Sequence, residues 1–194
     1  MKRRQLPLKT SSRDHLVHID GWGYVPDGLD VWHIMQEKFA PKNVLEIGFH
    51  LGHSTTYQLE AYVDARITTL SPAFEGTLDD ACLIADTRQR QALVMKDLFG
   101  DRFDWIPKQT CDAFDALETY GPFDFAFIDG QHTYEHSSLD LNCCKHFGVK
   151  TLLMDNVDQY QVLQAVNHSK WTMIDMFPYV SDDDKINVMG LLVA

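Results

Sequence analysis

The chain has 194 residues, of which 45% are hydrophobic and 23% charged, and this is enough apolar sequence for one domain with a sizeable core. No apolar run approaches the roughly 20 residues that span a bilayer, and no apolar segment follows the basic N-terminus as in a secretory signal, so we expect a cytoplasmic protein without membrane contact. The formal net charge of -11 would repel phosphate backbones and argues against nucleic acid as a partner.

Helices and strands are predicted to alternate along almost the whole chain. The predicted helices span residues 29–39, 54–63, 79–99, 112–120, 136–147 and 158–168. The predicted strands span residues 43–48, 66–70, 103–107, 123–128, 150–154, 171–177 and 186–193, and a polar turn at 181–185 makes the last two an antiparallel hairpin.

This alternation predicts an α/β fold. We expect a Rossmann-like three-layer α/β/α sandwich, in which a mostly parallel seven-stranded sheet carries an antiparallel C-terminal hairpin strand. Residues 1–20 are predicted to be a flexible tail, and residues 21–194 a single domain. The four cysteines match no zinc-ligand spacing and are predicted to be reduced thiols, mostly in the core.

A glycine turn joins the first predicted strand to the next helix, with the sequence Glu46-Ile-Gly48-Phe-His50-Leu-Gly52. Gly48 allows a positive φ, and Gly52 allows a ligand to approach the backbone closely. The helix that follows offers free N–H groups, with Ser54 or Thr55 near its cap. A plain strand-to-helix turn or a dinucleotide site remains an alternative, although the spacing departs from the G-x-G-x-x-G fingerprint.

The turn resembles the first motif of the class I S-adenosylmethionine-dependent methyltransferases, in which an acidic residue precedes two glycines at this spacing. The resemblance implies that S-adenosylmethionine is the cofactor. Glu46, Gly48 and Gly52 would flank its methionine part, and His50 and Ser54 would belong to the same cofactor site.

The parts of the sequence that correspond to the nucleoside site fit this family less well. The family usually places an acid after the second strand to bind both ribose hydroxyls, and this chain has none there. Thr69 or Ser71 would make one weaker hydrogen bond, and Glu75 is a further candidate. Losing the charge-assisted contact costs about 1.5–3 kcal/mol, which leaves a non-catalytic relative as an alternative. Asp112 and Ala113 match the position that contacts adenine.

Polar side chains follow the fourth and fifth predicted strands. Asp129 ends the fourth strand, and Asp155 and Asn156 end the fifth. Because the carboxyl ends of neighbouring parallel strands lie side by side, these three side chains can converge into an oxygen-only site. Such a site suits Mg²⁺ or Mn²⁺, with Ca²⁺ as an alternative. A turn cap at Asp129 and an ordinary polar strand end at Asp155 are the competing interpretations.

This arrangement resembles the cation-dependent O-methyltransferases of the catechol and caffeoyl-CoA type, which carry one Asp after the fourth strand and an Asp-Asn pair after the fifth. The resemblance covers roughly residues 24–194. It implies that Asp129, Asp155 and Asn156 bind the metal, that Asp129 also borders the cofactor, and that a small-molecule hydroxyl is the acceptor. The Asp-Gly-x-His-x-Tyr run that starts at Asp129 also resembles a broader sister family of small-molecule methyltransferases.

His132 stands where the cation-dependent group usually has its general-base lysine. We therefore predict a catalytic pair in which His132 takes the hydroxyl proton beside Asp129. A metal-ligand or structural role for His132 stays open, as do a metal-free methyltransferase and a non-enzymatic protein with this fold.

The acceptor pocket is predicted to involve residues 21–30 and the loops near Gln131 and residues 157–160. Four aromatic residues there are either an acceptor wall or core: Trp22, Tyr24, Trp32 and Tyr160. A homodimer is one way in which so short a chain would complete the pocket.

Overall fold

The computed structural model describes residues 29–72, 78–180 and 185–194, and these ranges form one sheet with helices around it. The helices are α1 Leu29–Phe39, α2 His53–Ala61, α3 Leu78–Phe99, α4 Phe114–Leu117, α5 Tyr134–His146 and α6 Tyr160–His168. The strands are β1 Asn43–Ile47, β2 Arg66–Leu70, β3 Phe103–Ile106, β4 Phe125–Ile128, β5 Thr151–Met154, β6 Thr172–Val180 and β7 Ile186–Val193. The predicted tail, Trp22, Tyr24, Glu75 and most of the predicted turn at 181–185 lie outside the described residues.

The strand order in the sheet is β3-β2-β1-β4-β5-β7-β6. The first five strands are parallel, whereas β7 pairs antiparallel with both β5 and β6. This confirms the predicted fold class, including the antiparallel C-terminal hairpin. The chain runs outward from β1 to β3 and then returns to β4 on the other side of β1. In open α/β sheets, ligands bind at such a switch point, beyond the carboxyl ends of the strands.

Helices cover both faces of the sheet, so the central strands are apolar on both sides. All four residues of β4 are buried, as are four of the five in β1. One core lies under α1, α2 and α3, and the other under α4, α5 and α6. Trp32 belongs to the first core: its side chain is 1% exposed, and its ring meets Phe127 edge-on at 4.8 Å between centroids. Of the two interpretations of Trp32, the structure therefore supports core packing.

Several element boundaries differ from the predictions, and three of the differences have a structural reason. Helix α2 begins at His53 after Gly52, which has φ +81 and caps the helix without a side-chain hydrogen bond, so the predicted hydroxyl cap is wrong. The helix predicted over 112–120 is the four-residue α4, preceded by a 3-10 turn at Thr110–Asp112. The last helix begins at Tyr160 because Asn156 adopts φ +55 and the chain turns there.

Two further findings bear on the sequence predictions. Within the described ranges, no helix is long and apolar enough to cross a membrane. Cys143 and Cys144 are buried free thiols and Cys111 is an exposed one, as expected for reduced cysteines. The side chain of Cys82 lies outside the described part of the chain.

Candidate active site

A groove opens at the carboxyl ends of β1 to β4, on the face of the sheet that α5 covers. It encloses about 370 Å³, including the part open to solvent. Its lining consists of strand-end residues and two side chains of α5: Ile47, Gly48, Leu70, Ser71, Pro72, Lys108, Gln109, Thr110, Gly130, Gln131, His136 and Asp140. The groove therefore occupies the switch point where this type of sheet binds ligands.

Both glycines of the turn after β1 are required by contacts within the protein. Gly48 has φ +112, and a Cβ there would lie 2.5 Å from the carbonyl carbon of Asp129 and closer still to its oxygen. Gly52 has φ +81, and its Cβ would lie 2.8 Å from Cε2 of Phe49. The missing side chain of Gly52 thus makes room for the ring of Phe49, where the sequence predicted room for a ligand. Gly48 does line the groove.

His50 adopts a left-handed conformation in the same turn, with φ +44. Burial, followed by the nearby charges of Arg88 and His53, lowers the pKa of His50 to about 4. The His50 ring is therefore neutral at pH 7 and lies outside the groove lining.

Glu46 faces the interior of the protein and does not line the groove. Its side chain is fully buried. Ser54 Oγ and Gln58 Nε2 donate to Oε1 at 2.7 and 2.8 Å, Thr69 Oγ1 donates to Oε2 at 2.5 Å, and Thr55 Oγ1 donates to the same oxygen. The carboxyl group ties β1 to α2 and β2. The hydroxyls of Ser54 and Thr69 are thus occupied by Glu46, and neither residue lines the groove. The hydroxyl residue at the end of β2 that does line it is Ser71.

Replacing Glu46 by glutamine is expected to reduce the pH dependence of stability. Burial raises the pKa of Glu46 from 4.5 to about 7, although hydrogen bonds from Thr55, Thr69 and Ser54 oppose it. The folded state therefore holds this proton more tightly than the unfolded state. The resulting stabilisation, up to about 3 kcal/mol, is full below pH 4.5 and lost as the pH rises to about 7.

Urea denaturation from pH 4.5 to 8 measures this effect as the difference in unfolding free energy between Glu46→Gln and the wild type. That difference should shift in favour of the variant as the pH rises. Glu118→Gln, at an exposed position, is the matched control for the same change of residue. A Glu46→Gln difference that does not change with pH would show that the Glu46 carboxyl does not titrate in this range.

The turns after β4 and β5 bring the predicted catalytic and metal-binding side chains together. The backbone N–H of Asp129 donates to Ile47 O at 2.7 Å, and that of Asp155 donates to Ile128 O at 2.8 Å. His132 Nε2 lies 3.4 Å from Asp129 Oδ1, and Gln159 Nε2 lies 3.4 Å from His132 Nδ1. Sequence reasoning did not single out Gln159 because only the packing of the start of α6 brings it to His132.

The cluster formed by Asp129, His132 and Asp155 contains two carboxyl groups and one imidazole. Burial, and then the charge of Asp129, raises the pKa of Asp155 to about 7. The hydrogen bond to Asp129 raises the pKa of His132, helped by the charges of Asp129 and Asp155 and opposed by burial. Two adjacent carboxyl groups thus favour a positive charge between or beside them.

Asn156 follows Asp155 in the turn after β5 and is the third predicted metal ligand. It is 5% exposed, and its side-chain amide has no hydrogen-bond partner among the described residues. In those same ranges, no three His, Cys, Asp or Glu side chains form a group that could hold a metal ion. A cation here would therefore depend on the carboxylates of Asp129 and Asp155 and on the amide oxygen of Asn156, a donor set that suits a hard cation.

Tyr179 is a member of the cluster that sequence reasoning missed. Its hydroxyl donates to both oxygens of Asp155, at 2.8 and 2.7 Å, and the backbone N–H of Asn156 donates to Asp155 Oδ1 at 2.8 Å. Burial, and then the charge of Asp155, raises the pKa of Tyr179. Nothing local in the sequence marks this tyrosine, because the pairing of β6 with β7 decides where it lies.

The residues predicted to contact adenine do not line the groove. Ala113 is fully buried, and Asp112 is exposed on the 3-10 turn. Thr110 and Asp140 line the groove instead, and Thr110 Oγ1 donates to Asp140 Oδ1 at 2.6 Å. A sequence signal for Asp140 exists: it shares the buried face of α5 with Ser137, Leu141 and Cys144, where a carboxylate is unusual.

Comparison with known proteins places these observations in a family. Residues 45–151, more than half of the chain, match the model of a family described as a methyltransferase domain. The comparison with curated protein sequences gave no match.

Three solved structures illustrate the similarity in fold. An O-methyltransferase from Bacillus cereus in complex with SAH has a TM-score of 0.70 and 16% identity, over 98% of this chain and 94% of that one. The O-methyltransferase TomG from Streptomyces achromogenes, in complex with SAM, has a TM-score of 0.65 and 16% identity, over 89% and 81%. A putative caffeoyl-CoA O-methyltransferase from Staphylococcus aureus has a TM-score of 0.60 and 15% identity, over 94% and 88%. At these identities the likeness shows the fold alone.

Proposed function

The chain belongs to the methyltransferase-domain family, and from this premise we propose that it transfers the methyl group of S-adenosylmethionine to a hydroxyl of a small molecule, assisted by a divalent cation. The observation that carries the proposal is that His132 lies 3.4 Å from Asp129, and that both interact electrostatically with Asp155, beside Gly130, which lines the groove. The structures from Bacillus cereus and Streptomyces achromogenes contain SAH and SAM, which supports S-adenosylmethionine as the methyl donor here.

The groove offers three features that suit this methyl donor. Gly48 leaves the turn after β1 without a side chain, Ser71 offers one hydroxyl at the end of β2, and Asp140 offers a carboxylate near the loop after β3. S-adenosylmethionine supplies a methyl group on a positively charged sulfonium. The single hydroxyl of Ser71 replaces the bidentate acid that related enzymes use for the ribose, so we expect weaker ribose binding.

Asp129, Asp155 and Asn156 would hold the cation. The raised pKa of Asp155 supports this assignment, because a cation would relieve the repulsion between the two carboxylates. When bound, a divalent cation supplies positive charge that lowers the pKa of an acceptor hydroxyl.

His132 is the general base in this proposal. Its Nδ1 accepts only a long contact of 3.4 Å from Gln159 Nε2, so an acceptor hydroxyl can displace Gln159 and give its proton to Nδ1. Asp129, 3.4 Å from Nε2, then stabilises the imidazolium. The acceptor oxygen forms a bond to the methyl carbon as the carbon–sulfur bond breaks, which leaves a methyl ether, SAH and the proton on His132.

A second candidate is methyl transfer by the same residues without a metal. One observation favours it: Asp155 already accepts a hydrogen bond from the Tyr179 hydroxyl, which lies within reach of both its oxygens, and another from the Asn156 backbone. In that case Asp155 has a structural role, and His132 with Asp129 carries the chemistry.

The test measures the binding of Mn²⁺ to the full chain in the presence of SAH. Electron paramagnetic resonance detects the Mn²⁺ that stays free. We expect Asp155→Asn to weaken Mn²⁺ binding at least about tenfold, since it removes a charged ligand. Asp64→Asn is the matched control, because the Asp64 side chain is 74% exposed and pairs with Lys42 at the amino ends of the strands. SAH release with catechol as the acceptor, with Mn²⁺ or with EDTA, then tests the reaction.

Each outcome separates the candidates. Mn²⁺ binding that depends on Asp155, with catechol methylation that EDTA stops, supports the metal-assisted reaction. Binding of SAH without Mn²⁺ binding favours the metal-free candidate. Failure of the wild type to bind SAH at millimolar concentration would contradict the proposed function as a whole.

A further inference from the structure

Asp140 is a buried carboxylate that opens into the groove and that has no part in the methyl-transfer step itself. It lies on α5, is 3% exposed and lines the groove. Its Oδ1 accepts from Thr110 Oγ1 at 2.6 Å, whereas its Oδ2 has no hydrogen-bond partner among the described residues. A carboxylate oxygen in such a position needs a donor, and the open side of the groove is where a ligand would supply one.

Gly130 keeps this oxygen uncovered. A Cβ on Gly130 would lie 3.0 Å from Asp140 Oδ2, so any side chain there would crowd the carboxylate. Gln109 and Thr110 line the groove after β3, and Gly130 and Gln131 line it after β4. The carboxylate therefore lies where these two loops meet, at the end of the groove formed by the loop after β3.

The charge of Asp140 suits an N–H donor at neutral pH. Burial raises the pKa of Asp140 to about 6, while the hydrogen bond from Thr110 and the charge of His136 oppose the increase. The group is therefore mostly ionised at pH 7 and acts as a hydrogen-bond acceptor.

Building on the proposed function, we propose that Asp140 is the residue that recognises the 6-amino group of adenine, in place of Asp112. Ser71 and Pro72 lie at the end of β2, where the ribose is expected, and Gly48 lies at the turn where the methionine part is expected. The adenine ring of the cofactor is therefore expected beside the loop after β3. The hydrogen-bond donor on the edge of adenine is its 6-amino group. Asp112 is exposed and outside the groove lining, so it is not placed to compete for this role.

The test compares the binding of SAH with that of S-inosylhomocysteine, in which a carbonyl oxygen replaces the 6-amino group. Isothermal titration of the wild type should show S-inosylhomocysteine binding about 10- to 100-fold more weakly, because its oxygen faces a carboxylate. Asp140→Asn should reduce this ratio to about threefold or less, since an amide can donate to the oxygen as well as accept from an amine.

Two further variants sharpen the test. Asp115→Asn, at an exposed position of α4, is the matched control and should keep the wild-type ratio. Asp112→Asn tests the rival residue and should also keep it. Because the ratio compares two dissociation constants on one preparation, an unfolded fraction does not alter it.

The outcomes are distinct from those that test the function. If the wild type does not bind SAH, the proposed function fails and the adenine assignment fails with it. Three results would overturn only the assignment of Asp140. The wild type could bind the two ligands with dissociation constants within threefold of each other, or Asp112→Asn could lose the wild-type ratio of these constants. Asp140→Asn could also weaken the binding of both ligands equally. Should Asp140→Asn not fold, the wild-type ratio and its retention in Asp112→Asn decide the result.

Discussion

Replacing Gly48 by alanine is expected to cost about 4 kcal/mol or more of folding free energy, a large part of the total stability of a domain. The new Cβ would lie 2.5 Å from the Asp129 carbonyl carbon and 3.2 Å from the Gly130 nitrogen, both of which are backbone atoms. The residue would also have to adopt φ +112, which side chains rarely do. The turns after β1 and β4 would have to separate, and both border the groove.

Gly148→Ala is the matched control for this prediction. Gly148 also has a positive φ, +80, but a Cβ there meets nothing within 4 Å. We therefore expect it to cost about 1 kcal/mol, the conformational penalty alone. Urea denaturation followed by circular dichroism measures both values, and isothermal titration with SAH should show that only Gly48→Ala loses binding. Equal costs for the two variants would contradict the close contact between the two turns.

Replacing His132 by asparagine is expected to lower kcat about 10²- to 10⁴-fold, the usual contribution of a general base. The SAH dissociation constant should change less than threefold, because His132 does not line the groove. This division between kcat and cofactor binding separates a catalytic role from a structural one. The rate is measured as the release of SAH in a single turnover, with catechol as the methyl acceptor as in the test of the proposed function.

His168→Asn provides the control for the loss of a histidine ring near α5. His168 is exposed on α6, and its Nδ1 lies 3.2 Å from the Tyr134 hydroxyl. We expect its kcat to stay within about twofold of the wild type. A His132→Asn variant with the same kcat as His168→Asn would remove His132 from the mechanism and leave the role of general base to another group.

The order of the elements was predictable from the sequence because its signals are local. The ranges predicted for α1, β2 and β7 agree with the structure at both ends. Apolar periodicity and turn residues set these ranges, and they do not depend on distant contacts. The shortened α4 was not predictable in this way, because a 3-10 turn and a short helix share the composition of one longer helix.

The approach of Asp129 to Asp155 could also be anticipated from the sequence. The two residues follow consecutive strands of a parallel sheet, and adjacent parallel strands bring their carboxyl ends to the same edge. For the same reason the position of the groove, at the strand ends, followed from the predicted order of strands.

Only the tertiary structure decided which way the individual side chains point. Glu46 was predicted to face the cofactor, but hydroxyls from α2 and β2 enclose it. Asp112 matched a motif position and is exposed, whereas Asp140 reaches the groove from α5. Tyr179 meets Asp155 through the register of the C-terminal hairpin. The sequence by itself determined the elements and the edge of the sheet where they meet, because these depend on neighbouring residues. The contacts of each polar side chain depend on how distant elements pack, and only the folded chain establishes that.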